Sequence, residues 1–392
     1  MRPRRNGEPA RGLGLASQNT DRPLVTIVTA SSKPGAAANN ECRWLETAFR
    51  EMDVRADAVY LEGPAGVSGE GSTRTVRLGT VTARGSVRAL ARYLRDSKPG
   101  VTIVWPSHIG PFAVAAGVLA RQPVVPWEVT LLSHDLGHGS DWPRSQRMVP
   151  VLQRVTYPFA AGIAANSEDV AVEMVSERRA RAGSVMVLPN PVDIDAVRAA
   201  AAANPKARDE GRFVFCAVGR LAWQKGYDLM LRGFARARAN LPSNWELRVL
   251  GQGPRAEEIF AETRRLGLEE RVSFLGHGDP YPVMASADVF VHTARWEGSP
   301  VVLKEALALE LPIVATAGLG AQREILDGGR YGLLVASDDP SAIGRGLVSM
   351  ASDPELRARF SASALEGARR YSGRVVAERM CVLADEVQAR RN

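Results

Sequence analysis

The chain has 392 residues, of which 45% are hydrophobic and 24% are charged. This composition is typical of a globular protein long enough for two domains, and it excludes a fibrous or mostly disordered chain. Three widely spaced cysteines exclude a disulfide framework and favour a reducing, cytoplasmic environment. Part of the net charge of +7 lies in residues 1–22, which are rich in arginine, proline and glycine and which we expect to be a disordered leader.

Two classes of partner are disfavoured by the distribution of residues. Nucleic-acid binding would need clustered basic residues with aromatic residues between them, and the sequence has no such stretch. The longest nearly apolar run, residues 110–120, is shorter than the ~20 residues of a membrane-spanning helix. We therefore expect neither nucleic-acid binding nor stable insertion into a membrane.

The first half of the chain alternates apolar segments with amphipathic ones. The apolar segments predict strands at residues 24–30, 101–105, 129–133 and 162–167. The amphipathic segments predict helices at residues 40–51, 87–96, 112–121, 147–159 and 168–178. Strands that alternate with helices predict βαβ units and a parallel sheet.

The second half repeats this alternation after an interruption. Two prolines break the pattern at residues 187–193, and strands are then predicted at residues 213–218, 246–250, 272–275, 288–292 and 313–316. We therefore predict two doubly wound α/β domains, at 23–200 and 201–373, and a final helix at 374–391. Ligands bind at the carboxyl ends of the strands in open α/β sheets, so two facing sheets would form a cleft for two substrates.

One candidate anion site follows the first strand of the second domain. Gly219 ends that strand, and Arg220 and Lys225 follow in the same strand-to-helix loop. Glycine lets the backbone approach a ligand, and the two cations can converge on a diphosphate. A glycine turn with two solvated cations is the alternative interpretation.

A second candidate segment runs from Trp296 to Ala306. Ser299 followed by Pro300 predicts a helix N-cap and first helical residue, so that backbone amides at the helix start face an anion. Glu297 precedes this helix, and Glu305 lies in its second turn. The two carboxylates can accept hydrogen bonds from sugar and ribose hydroxyls, although a surface glutamate and an ordinary helix glutamate would look the same.

Taken in order with residues 250–254, 272–276, 287–291, 318–324 and 332–335, these segments resemble the retaining family-4 glycosyltransferases of GT-B fold. The resemblance is best over residues 190–372. It implies two Rossmann-like domains facing a central cleft, with a nucleotide sugar on the second domain and the acceptor on the first. We expect a UDP-sugar, with a GDP- or ADP-sugar as the alternative. It also implies that residues 374–392 cross back to the first domain.

The resemblance assigns site residues by their positions in the motifs. The implied catalytic residues are His134, on the acceptor side, Arg220 and Lys225, on the diphosphate, and Glu297, on the donor-sugar hydroxyls. The residues implied to bind the donor are Gly35, Gly219, Gly251, Leu275, His277, Gly298, Ser299, Val301 and Glu305, of which Glu305 would hold the ribose. Gly35 stands alone where the family often has a glycine pair.

No metal or cofactor beyond the nucleotide sugar is expected. The histidines lack paired metal-ligand spacing, and the DxD sequence at Asp193 and Asp195 lies at the domain boundary. We therefore expect a metal-independent hexosyltransferase that retains configuration by a same-face route, because no nucleophile is evident on the opposite face of the sugar. A GT-B-like nucleotide-sugar epimerase and a non-catalytic sensor of nucleotide sugars are the alternatives.

The acceptor is predicted from the stretch of residues 127–142, which has no lysine or arginine. The carboxylates of Glu128, Asp135 and Asp141 would attract a cation, and Trp142 would stack on a sugar or other ring. This favours the hydroxyl of a small soluble amine, such as an aminocyclitol glycoside in antibiotic biosynthesis. A solvated loop with buried tryptophans is equally compatible, and a lipid-linked or phosphoinositide acceptor at a membrane is then the alternative.

Overall fold

The computed structural model describes residues 23–30, 37–80, 82–137, 147–177, 179–181, 183–203 and 211–391. The predicted leader, residues 1–22, lies outside these ranges, as do Gly35, Asp141 and Trp142. Among the described residues, no helix is both long and apolar enough to cross a membrane.

The first domain is built on a sheet of eight strands in the order β3-β4-β2-β1-β5-β6-β7-β8. Its strands are β1 (Val25–Thr29), β2 (Ala56–Tyr60), β3 (Gly66–Glu70), β4 (Thr73–Arg77), β5 (Val101–Val104), β6 (Val124–Glu128), β7 (Ile163–Ala165) and β8 (Val185–Val187). Only β3 pairs antiparallel within the described sheet. The helices that connect these strands are α1 (Ala37–Glu51), α2 (Ala83–Ser97), α3 (Gly110–Ala120), α4 (Leu132–Gly137), α5 (Val149–Thr156) and α6 (Glu168–Ser176).

The second domain has a six-stranded parallel sheet in the order β11-β10-β9-β12-β13-β14. Its strands are β9 (Phe213–Val218), β10 (Trp245–Leu250), β11 (Val272–Phe274), β12 (Val289–His292), β13 (Ile313–Thr316) and β14 (Leu333–Val335). The helices are α7 (Ile194–Ala203), α8 (Tyr227–Ala237), α9 (Ala256–Arg265), α10 (Pro280–Ala285), α11 (Val301–Ala308), α12 (Gln322–Ile325), α13 (Pro340–Ser352) and α14 (Pro354–Arg369).

The last helix, α15 (Gly373–Ala389), packs on the first domain. Its apolar face, which includes Val376, Met380 and Val387, shares a core with Leu45 and Phe49 of α1. The chain therefore leaves the first sheet, forms the second and returns to the first. On the first sheet, α15 and α1 share one core, and α2 and α3 share another core on the opposite face.

The strand predicted at residues 129–133 is wrong. The strand β6 lies five residues earlier, at Val124–Glu128, and pairs with β5 and β7. The prediction missed it because Pro126, which cannot donate a ladder hydrogen bond, argues against an interior strand. Leu131 and Leu132 made this stretch look like an apolar strand, but these two side chains are buried at the start of α4.

Candidate functional site

Two loops at the carboxyl edge of the second sheet are joined by hydrogen bonds. One follows β9 and the other follows β12. The amide of Arg295 donates to the Gln224 carbonyl at 2.8 Å, and the Gln224 side chain donates to the Trp296 carbonyl at 3.0 Å. The Arg295 guanidinium binds Asp228 through two hydrogen bonds of 2.9 and 2.8 Å and stacks on Trp223 at 3.6 Å. These contacts fix the turn that ends at Lys225.

Lys225 and Glu297 come together where these loops meet. Their side chains form an ion pair that is only partly exposed. Nε2 of His292, at the end of β12, lies 3.8 Å from the same Glu297 oxygen. Burial and then the charge of Lys225 lower the pKa of His292 from 6.5 to about 3, so its ring is neutral. The sequence analysis did not assign His292 to the site, and its place at the end of a predicted strand is the one signal that could have marked it.

Glycines bring the loops after β9 and β10 into contact. A Cβ on Gly251 would lie 1.9 Å from the Gly219 carbonyl oxygen, so no other residue fits there without a backbone shift. Gly219 itself has a φ of 155°, and its carbonyl accepts a hydrogen bond from the Tyr227 hydroxyl at 3.0 Å. These glycines are therefore required for the packing of one loop against the other. Their predicted contact with the donor stays a prediction.

The other predicted residues of this edge are exposed. Arg220 follows Gly219 with its side chain in solvent, and Leu275 and His277 are exposed beyond the end of β11. All three lie on loops at the same edge as Lys225. Their predicted contacts with phosphate and base stay predictions.

The helix α11 begins one residue later than predicted. Pro300 is the N-cap and Val301 the first helical residue, and no side chain caps the helix. The hydroxyl of Ser299 instead accepts a hydrogen bond of 2.8 Å from buried Lys304, which also donates to the Asn190 carbonyl at 2.7 Å. Ser299 was predicted as the cap because Ser-Pro is a frequent start signal, but the buried ammonium of Lys304 is a stronger partner.

Glu305 lies on the second turn of α11 and is largely buried. The Tyr281 hydroxyl donates to its carboxyl at 2.9 Å. Burial raises the pKa of Glu305 from 4.5 to about 7, against the opposing effects of Tyr281 and Lys304. A carboxyl at the edge of a cleft whose pKa lies near 7 is a candidate ligand for hydroxyl groups.

The first domain faces this site through α4 and the end of β6. Asp135 accepts a hydrogen bond of 2.7 Å from Trp296 of the second domain and another from Thr130. Burial raises the pKa of Asp135, although these hydrogen bonds and the charge of Arg220 act in the opposite direction. The His134 ring is centred 6.0 Å from the Trp296 ring, so His134 also borders the cleft next to Glu297.

Gly298 is packed between the domains. A Cβ on this residue would lie 2.0 Å from the Val129 carbonyl oxygen and 2.9 Å from the Asn166 amide. The loop that carries Glu297 therefore touches the first domain directly. This places the predicted donor and acceptor sides against one another.

The predicted contact of Glu128 with an acceptor is wrong. Glu128 is 0% exposed, at the end of β6, and its carboxylate accepts hydrogen bonds from Tyr157 and, at 3.1 Å, from Gln153. Burial raises its pKa despite these partners. A carboxyl inside the first domain cannot attract a cation at the cleft mouth, and no local signal in the sequence distinguished Glu128 from Asp135.

Among the described residues, no group of three or more His, Cys, Asp or Glu side chains is placed to hold a metal ion. Asp193 lies at the domain boundary, where its carboxylate accepts a hydrogen bond of 2.9 Å from the Ala196 amide at the start of α7. This capping contact accounts for Asp193 without a metal.

The sequence profile of the family "Glycosyl transferases group 1" matches residues 200–366. The second domain is thus similar to the group 1 glycosyl transferases. The match covers Lys225, Glu297 and Glu305, and so includes the ion pair and the buried carboxyl described above.

Two relatives and one solved structure add to the comparison, and one of the relatives and the solved structure each cover more than nine-tenths of this chain. A Campylobacter jejuni 4-alpha-N-acetylgalactosaminyltransferase acting on N-acetylgalactosamine-N,N'-diacetylbacillosaminyl-diphospho-undecaprenol is 30% identical over 216 residues, which are 55% of this chain and 57% of that protein. The chain thus spans little more than half of that relative. A second C. jejuni alpha-1,4-N-acetyl-D-galactosaminyltransferase, acting on GalNAc-alpha-(1->4)-GalNAc-alpha-(1->3)-diNAcBac-PP-undecaprenol, is 24% identical over 383 residues, 95% of this chain and 97% of that protein.

The structure of Anabaena HepE in complex with UDP-glucose superimposes with a TM-score of 0.72 at 19% identity, covering 92% of this chain and 99% of that one. At this identity the likeness concerns the fold. The predicted GT-B fold, with two Rossmann-like α/β domains, is confirmed.

Proposed function

We propose that the protein transfers a hexosyl group from a nucleotide sugar, most simply a UDP-sugar, to a hydroxyl of an acceptor. The observation that carries this proposal is the ion pair of Lys225 with Glu297 at the carboxyl edge of the second sheet, with His134 of the first domain beside Trp296 of the same loop. Glu305 lies on α11, the helix that follows this loop. In this proposal Lys225 binds the diphosphate, Glu297 the sugar and Glu305 the ribose of the donor.

The same residues suggest how the reaction proceeds. The bond between the sugar C1 and the diphosphate oxygen breaks, and Arg220, Lys225 and the amides of Ser299 and Val301 stabilise the charge that develops on the leaving group. The acceptor oxygen bonds to C1 on the face that the diphosphate leaves, and its proton passes to a departing phosphate oxygen. This route retains configuration, and none of its steps as written needs a metal ion. Glu297 orients the donor sugar throughout.

For the acceptor, we infer a lipid-linked sugar rather than a soluble amine. Both Campylobacter relatives are named for acceptors linked to undecaprenol through a diphosphate. The aminocyclitol hypothesis depended on free acidic side chains, but Glu128 is buried and Asp135 already accepts hydrogen bonds from Thr130 and Trp296. Asp141 and Trp142 lie outside the described residues.

The surface of the first domain supports a lipid-linked acceptor. Helices α3 and α5 pack side by side, and we call the exposed apolar side chains on and just beside them the apolar face, namely Val118, Leu119, Met148, Val151, Val155 and Phe159. Basic side chains are exposed on the neighbouring α2 and at the end of α3, namely Arg88, Arg92, Arg95, Lys98 and Arg121. Single exposed apolar residues are ordinary, but six of them on neighbouring elements, with basic residues on the adjacent α2 and at the end of α3, suit the surface of an anionic bilayer.

Mass spectrometry tests the transfer. The protein is incubated with a panel of UDP-, GDP- and ADP-sugars, with and without a polyprenyl-diphosphate-linked sugar. The proposal predicts an acceptor heavier by one sugar residue and release of the nucleoside diphosphate, only when both substrates are present. A changed donor without acceptor would indicate an epimerase, and an unchanged donor in every mixture would indicate a binding protein. Glycosylation of an aminocyclitol in a parallel reaction, with the polyprenyl-diphosphate-linked sugar left unchanged, would refute the lipid-linked acceptor.

Vesicle sedimentation tests the apolar face separately. The protein should sediment with vesicles that contain phosphatidylglycerol and much less with pure phosphatidylcholine. Val155→Asp, at a side chain 63% exposed on α5, should reduce sedimentation several-fold, because it places a negative charge against an anionic surface. Val67→Asp, 69% exposed on β3, is the matched control and should sediment like the unchanged protein. Equal loss in both variants would contradict the proposed surface.

A further inference from the structure

A series of hydrogen bonds connects His134 with buried charges of the first domain. The Ser133 hydroxyl lies 3.2 Å from Nδ1 of His134 and donates to Oε2 of Glu173 at 2.6 Å. The other oxygen of Glu173 accepts from the Ser133 amide at 3.3 Å and pairs with Arg179. Glu173 and Arg179 are 8% and 3% exposed, so this part of the series is held inside the domain.

This geometry determines which ring nitrogen of neutral His134 carries the proton. A serine hydroxyl has one hydrogen, and Ser133 uses it on the Glu173 carboxylate, the stronger acceptor at the shorter distance. Toward His134, the oxygen of Ser133 can then only accept. Nδ1 must therefore carry the proton, and Nε2 becomes the acceptor nitrogen of the ring.

Arg179 fixes the carboxylate at the other end of the series. Besides its ion pair with Glu173, its guanidinium donates to the Gln153 side chain at 3.1 Å, and Gln153 in turn donates to Glu128 at 3.1 Å. A buried carboxylate without such a partner would be strongly destabilising. Glu128, which the sequence placed at the acceptor, thus lies at the far end of the same network.

We propose that Glu173, acting through Ser133, is a positioning residue for His134. It holds the imidazole in the Nδ1-protonated tautomer, which presents Nε2 as an acceptor for a sugar hydroxyl in the cleft beside Trp296. The role of this tautomer rests on the proposed sugar transfer. The tautomer itself is set by the hydrogen bonds of the first domain, which allows the two claims to be tested apart.

The test is nitrogen-15 NMR of the full chain labelled at histidine, with His134 assigned through a His134→Asn variant. The unchanged protein should show a protonated Nδ1 and an unprotonated Nε2 at a pH where the ring is neutral. Ser133→Ala keeps the pair of Glu173 with Arg179 and should give a mixture of tautomers, as should Glu173→Gln. Ser133→Thr retains a hydroxyl and should restore the original tautomer.

Kinetics of the same variants give the second readout. Ser133→Ala should lower kcat roughly 10-fold, by analogy with metal-bound histidines, where removing the hydrogen-bonding partner of the ring costs about 10- to 100-fold. The donor KM should change little. Glu177→Gln is the control, because Glu177 also pairs with an arginine, Arg154, just beyond the end of α6 but does not contact His134. It should change neither tautomer nor kcat.

Two results would overturn the proposal. One is a protonated Nε2 in the unchanged protein, and the other is an unchanged tautomer in both Ser133→Ala and Glu173→Gln. If the tautomer is as proposed but no sugar is transferred under any condition, the hydrogen-bond assignment stands and the proposed function fails.

Discussion

Replacing Glu305 by glutamine should stabilise the folded protein while weakening nucleotide binding. Burial raises the pKa of Glu305 from 4.5 to about 7, so the ionised carboxyl is disfavoured in the fold relative to the unfolded chain. The resulting destabilisation is absent below the unfolded pKa, grows as the pH rises through this interval and is complete above about pH 7. A shift of this size corresponds to about 3 kcal/mol at pH 8.

Glu305→Gln removes this ionisation and keeps an oxygen that can accept from Tyr281. Its free energy of unfolding at pH 8 should exceed that of the unchanged protein by about 2–3 kcal/mol, and the difference should fall toward zero near pH 4.5. Denaturant titrations at both pH values measure it. Glu310→Gln, an exposed carboxylate just past the end of the same helix, is the control for loss of one negative charge.

The same variant should bind UDP more weakly. A hydrogen bond to a charged group contributes about 1.5–3 kcal/mol, so losing the carboxylate from the ribose corresponds to a roughly 10- to 100-fold rise in Kd by calorimetry. Unchanged UDP affinity would refute the ribose assignment. Unchanged stability at pH 8 would show that the carboxyl is better solvated than its position beside Tyr281 and Lys304 indicates.

Three further changes probe the rest of the site. Lys225→Ala should lower kcat/KM at least 100-fold, because the charge on the leaving diphosphate loses a partner worth roughly 3 kcal/mol. Unchanged kinetics in a folded variant would show that Lys225 does not bind the diphosphate. Glu297→Gln should lower kcat, because Glu297 orients the donor sugar. It should raise UDP affinity several-fold in calorimetry, because the Glu297 carboxylate neutralises the charge of Lys225 in the unchanged protein. A loss of UDP affinity in this variant would contradict the proposed role of the ion pair. Activity should survive EDTA, and a strict requirement for a divalent cation would contradict the metal-independent route.

Much of the fold could be predicted from local patterns, because its strands are short, apolar and regularly spaced. The run at Phe213–Val218 shows this, since its bounds are those of β9. β6 could not be predicted, because Pro126 is tolerated there only by the pairing of its neighbours with β5 and β7. The antiparallel β3 was missed for a similar reason, since Gly66 and Gly69 weaken any strand pattern.

The site was predictable as a set of residue types but not as a set of contacts. Lys225 and Glu297 are 72 residues apart, and their pairing depends on Arg295 and Gln224, which no motif marked. Glu128 and Asp135 look alike in the sequence, yet one is buried against α5 and the other connects the domains. Such differences arise from packing between elements distant in sequence, which local patterns do not record.

The most direct test of the account is proton NMR of a reaction containing the selected nucleotide sugar and a polyprenyl-diphosphate-linked acceptor. One spectrum series follows loss of the donor, release of the nucleoside diphosphate and the configuration of the new glycosidic bond. The account predicts equal amounts of glycoside and nucleoside diphosphate, with the anomeric configuration of the donor preserved. An inverted linkage, or donor that stays intact beside a functional acceptor, would contradict it.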